Sequence, residues 1–73
     1  MKELKRFIER LIEMEYEAVG IGEVFEEGSE LVKIDEVIDR VEQMEIVGDV
    51  DEYFEEINFL TDDGRYIEII GVY

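Results

Sequence analysis

Seventy-three residues with an apolar share of 47% are expected to form one small domain around one core. The chain has no Cys and no His, which excludes disulfides, thiolate metal sites and the usual general base. Asp and Glu number 22 against 7 Lys and Arg, a formal net charge of −15, and no apolar run approaches the ~20 residues of a bilayer span. The N-terminus lacks a signal-peptide h-region, so a cytoplasmic domain is expected.

Residues 3–19 read as an amphipathic helix. Leu4, Phe7, Ile8, Leu11 and Ile12 recur at helical spacing, Ala18 and Val19 continue the stripe, and Gly20 offers a stop. Lys5 and Arg6 stand at pairing distance from Glu9 on the polar side. Glu15 falls inside the apolar arc, which marks either an early helix end or a partly buried carboxylate.

Residues 20–34 admit two readings. A helix over 30–44 capped by Ser29 would align Leu31, Ile34, Val37, Ile38, Val41 and Met44 but leave Val32 exposed. A two-residue turn at Gly28-Ser29 would instead join strands 23–27 and 30–34 and set Phe25 opposite Val32. The hairpin is preferred, with Asp35 as N-cap of a shorter helix over 36–44. Residues 45–47 add a short strand before a loop over Gly48–Glu52.

Asp62-Asp63-Gly64 suits a three-residue hairpin loop closed by Thr61 and Arg65. That register sets Phe59 opposite Ile67 and Ile57 opposite Ile69, whereas a two-residue turn would set Phe59 against Glu68. Burial of the four apolar residues on one face selects the longer loop. Tyr66 then shares the other face with Glu56, Asn58 and Glu68. The expected fold class is α+β: a small antiparallel sheet with a C-terminal hairpin, packed against the N-terminal helix and a second, shorter one.

Few motifs carry chemistry. Gly20-x-Gly22 begins a dinucleotide fingerprint, but Phe25 occupies the third glycine position, so strand or turn glycines are expected. Asp49-x-Asp51 resembles the start of a calcium loop, yet Phe54 and Leu60 stand where that loop needs Gly and Glu. A weak divalent-cation site would draw on Asp49, Asp51 and Glu52. No metal centre or cofactor is assigned. The hydroxyls of Ser29, Thr61 and four Tyr have no His to activate them, so no catalytic residues and no enzymatic activity are expected.

Charge is the informative feature. Residues 1–10 carry a net +2 and residues 11–73 a net −17. A folded chain of this mass exposes ~4,700 Å², about one net charge per 300 Å², against roughly one per 100 Å² on duplex DNA. Such a surface repels nucleic acid and anionic membrane, and its natural counterpart is a basic surface of another protein. The binding residues expected are Asp49, Asp51, Glu52, Glu55, Glu56, Asp62 and Asp63, together with Tyr53 and Tyr66.

In size and composition the chain resembles the small acidic inhibitors that phages and viruses direct at nucleic-acid enzymes, a likeness that rests on no motif. The net −17 over residues 11–73, the Tyr66 and carboxylate face and the lack of a catalytic set lead to the expectation of a nucleic-acid mimic that occupies a basic nucleic-acid channel of another protein. The alternatives are a thermophile-like domain, self-associating as a homodimer, whose charge serves solubility alone, and the divalent-cation binder.

Overall fold

Leu4, Phe7, Ile8 and Leu11 bury one side of helix α1 (Lys2–Glu13) in the computed structural model, which describes residues 2–73. The helix ends six residues earlier than the apolar spacing predicts. Glu15 takes a left-handed φ of 66°. Its N–H bonds the Ile12 carbonyl and the Tyr16 N–H reaches back to Leu11, both at 3.0 Å, which closes the helix in a Schellman turn. Of the two readings of Glu15, the helix end is the one observed. Ala18 and Val19 therefore belong to a strand, and Ile12 turns out to solvent.

Five strands follow: β1 (Ala18–Glu23), β2 (Glu30–Lys33), β3 (Ile46–Glu52), β4 (Glu56–Thr61) and β5 (Tyr66–Gly71). They form one antiparallel sheet in the order β2-β1-β5-β4-β3. The second helix, α2 (Val37–Glu42), is entered through a 3₁₀ turn at Ile34–Glu36. This is the expected α+β architecture, with the apolar sides of both helices turned to the core.

The C-terminal hairpin has the expected register, with Phe59 opposite Ile67 and Ile57 opposite Ile69. Gly64 at φ 84° and the Gly64 N–H to Thr61 carbonyl bond build the three-residue loop. All four apolar residues are buried.

The first hairpin is real, but its register is displaced. Val32 is buried opposite Val19, and Phe25 lies 86% exposed in a loop over residues 24–29. Glycines at 20 and 22 explain the shift, because this loop folds back across β1. A Cβ on Gly22 would stand 2.9 Å from the Gly28 carbonyl oxygen, and one on Gly20 would stand 3.1 Å from Ser29 Oγ. Both glycines are strand residues that admit a close crossing, and Gly20 stops no helix.

Two further expectations change. Asp35 lies inside the 3₁₀ turn, and α2 runs from Val37 with Glu36 at its N-cap, where no side chain caps it. Residues 48–52 are strand and not loop. Gly48 at φ 75° opens a bulge, beyond which Asp51 and Glu52 resume pairing with Asn58 and Ile57.

One core results. Leu4, Phe7, Ile8 and Leu11 of α1 and Val37 and Val41 of α2 pack on Val19, Ile21, Val32, Ile57, Phe59, Ile67 and Ile69 of the sheet. No helix among the described residues lies on the opposite sheet face. Among the described residues, no helix is long and apolar enough to cross a membrane.

Candidate functional site

Residues directly opposite in an antiparallel sheet share a face, so the register fixes what the open face carries. One rung runs Asp51–Asn58–Glu68 across β3, β4 and β5, and a second joins Leu60 to Val47 and Tyr66. A third runs Glu56–Ile70–Gly20–Leu31. Carboxylates thus alternate with apolar and aromatic residues, and the only cation on these strand positions is Lys33 at the far edge on β2.

The Tyr66 hydroxyl reaches across β4 and donates to Asp51 Oδ2 at 2.9 Å. That bond to a carboxylate, with partial burial and the negative surroundings, raises the phenol pKa above its ordinary value. Phe25 meets the Tyr66 ring edge-on at 6.1 Å. The Val24 N–H bonds the Tyr66 carbonyl at 2.9 Å, which fixes the loop against β5. Asn58 Nδ2 donates to Glu56 Oε2 at 3.0 Å, while Asn58 Oδ1 is buried without a partner.

The nine residues expected in a binding surface do not form one cluster. Asp51, Glu56 and Tyr66 come together on the open face. Glu52 points to the helix side, where it accepts from Arg10 Nη1 at 2.8 Å and Arg6 Nη2 at 2.9 Å. Its side chain is only 17% exposed, and the hydrogen bond from Arg6, with that from Arg10, holds its carboxyl below the usual range. Arg6 is thus drawn to Glu52, and Glu9 forms no ion pair among the described residues. Arg10 also donates to the Tyr53 and Phe54 carbonyls and lies over the Phe7 and Phe54 rings, so it fastens the β3–β4 turn to α1.

Tyr53 and Glu55 occupy that turn and are exposed, and the Glu55 carboxylate approaches the Tyr16 phenol, whose pKa is raised by burial first and by that carboxylate second. The Glu55 carbonyl accepts from the Gly71 N–H. Asp62 and Asp63 lie at the other end of β4, about 20 Å away at the strand rise of ~3.3 Å per residue. Asp63 accepts from the Thr61 hydroxyl and from Arg65 Nε, and these partners lower its pKa, Thr61 most. Asp49 stands in the bulge of β3. Strand geometry separates Asp51 from Glu52, and no cluster of three or more acidic side chains suited to a metal ion occurs among the described residues.

Phe25, Val47, Leu60 and Glu68 join the open face without having been singled out as binding residues. Read as strand, residues 46–52 would have placed Val47 and Asp51 there, but Gly48 and the acidic run suggested a loop.

Charge is allocated unevenly. All four arginines are spent on three carboxylates: Arg6 and Arg10 on Glu52, Arg40 on Glu30 and Arg65 on Asp63. Of the 22 acidic residues, nineteen have no ion-pair partner among the described residues. No protein-family model, curated protein or solved structure matches the chain.

Proposed function

We propose that this protein is an acidic binding module that lays the open face of its sheet on a basic surface of another protein, in the place of DNA or RNA. The observation that supports this reading is the charge allocation. Every arginine is engaged inside the fold, while Asp51, Glu56 and Glu68 face outward without a cation on β3, β4 or β5. Surfaces that hold nucleic acid collect Lys and Arg and meet such a face with complementary potential. Tyr66 and Phe25 supply the rigid contact area that charge alone lacks. A nucleic-acid-binding protein held this way loses its nucleic acid, so the module acts as an inhibitor, as the phage and viral proteins of similar composition do.

The test is competition. Partners captured from the source cell on the immobilised protein are challenged with duplex DNA, RNA and rising salt. The proposal expects nucleic acid to release the partner and binding to weaken steeply as the Debye length falls below ~10 Å. A partner that holds its DNA or RNA while bound to this protein would overturn it.

A further inference from the structure

The helical layer does not cover the inner face completely. A five-stranded sheet is about 19 Å wide at ~4.8 Å per strand, and two helices ~10 Å across would cover it only if both were long. Helix α2 is six residues. Where it stops, a cleft of about 820 Å³ opens between the first turn of α1, the end of α2 and the bulged strand β3. Its floor is apolar and half-buried, formed by Ile38, Met44, Ile46 and Val50, and continues into the core. Glu3, Glu42, Glu45 and Asp49 stand around the rim against Lys5 alone.

We propose that this cleft receives a lysine- or arginine-bearing amphipathic helix of a partner protein. It is a second docking site, on the opposite side of the sheet from the open face, and does not rest on the function proposed for that face. The apolar floor fits the leucine-type stripe of such a helix, and the four rim carboxylates fit its basic flanks. At 1.5 Å rise and ~10–12 Å diameter the volume holds about six residues, a little under two turns, so the partner helix supplies the turns that α2 lacks. Met44 on the floor adapts to the shape of its guest. A second copy of this chain is a poor occupant, because each copy brings a net charge of −15 and its one basic helix already packs into its own core.

The probe is a synthetic twelve-residue Leu/Lys peptide with leucines at helical spacing, titrated into the isotopically labelled protein at physiological salt. An isomer with alternating leucines and spermidine alone are the comparisons. The helical peptide is expected to shift the amides of residues 3–5 and 38–50 first, and to bind at least tenfold more tightly than its isomer. Reversal of the rim by Glu45→Lys with Asp49→Lys should weaken it at least tenfold. Glu26→Lys with Glu27→Lys, an equal charge change in the exposed β1–β2 loop, should alter it less than twofold. Circular dichroism confirms that both variants fold. Equal weakening by the two variants, equal affinity of the isomer, or spermidine binding at the same amides as tightly as the peptide would each overturn the helix site.

Discussion

The two faces of the sheet use carboxylates in opposite ways. On the inner face Glu52 stands at the margin of the core, and two arginines from α1 cross 42 and 46 residues of sequence to meet it. On the outer face Asp51 accepts from Tyr66 and Glu56 from Asn58, and none of Asp51, Glu56 and Glu68 has an ion-pair partner among the described residues. The chain has seven basic residues; Arg6, Arg10 and Arg40 tie separate elements together, and Arg65 braces the β4–β5 loop.

The largest expected effect separates the faces by apolar burial. Phe59→Ala, on the inner face at 1% exposure, should cost about 3–5 kcal/mol in urea denaturation. That is most of the stability of so small a domain. Leu60→Ala, its exposed neighbour, should cost less than ~1 kcal/mol. Similar losses at the two positions would erase the distinction between the faces.

Next in size is the paired carboxylate against an unpaired one. Glu52→Gln breaks charge-assisted bonds from two arginines and should destabilise by about 1–3 kcal/mol. Glu68→Gln should leave the melting temperature within the range of ~0.5 kcal/mol, or raise it by easing repulsion.

A smaller effect is carried by pH. Arg6 with Arg10 at Glu52, Arg40 at Glu30, and Thr61 with Arg65 at Asp63 all make these acids stronger in the folded protein. Their contribution is complete above the ordinary carboxylate range near ~4 and is lost as pH falls through the lowered folded values. Below pH ~4 the melting temperature of the natural sequence should therefore drop relative to that of Glu52→Gln, the relief of repulsion among the unpaired carboxylates being common to both. An identical acid limb in that variant would remove Glu52 from the account.

How far the sequence could be read follows the same physical division. The β4–β5 hairpin was legible because Asp62-Asp63-Gly64 fixes the loop and period-two burial then fixes the register. The β1–β2 hairpin was not, because its decisive residues, Gly20 and Gly22, act by having no side chain under the loop at residues 24–29. The helix end was ambiguous because Ala18 and Val19 satisfy helical spacing and strand pairing alike, and the left-handed turn at Glu15 lacks the usual glycine. The face shared by Tyr66, Glu56, Asn58 and Glu68 followed from the C-terminal register. The Arg6–Glu52–Arg10 cluster did not, since no local pattern announces partners more than 40 residues apart.

The most direct measurement compares association rates with the captured partner at low and physiological salt. Three proteins are needed: the natural sequence, the open-face reversal Glu56→Lys with Glu68→Lys, and the equal charge change Glu9→Lys with Glu13→Lys on the exposed side of α1, across the sheet from that face. If the open face is the recognition surface, the first pair slows association at least tenfold at low salt, and the control pair slows it only a fewfold. Dissociation changes little in either, as expected of charges that steer encounter. Equal slowing by both pairs would mean that net charge alone is sensed, and would contradict the assignment of function to this face.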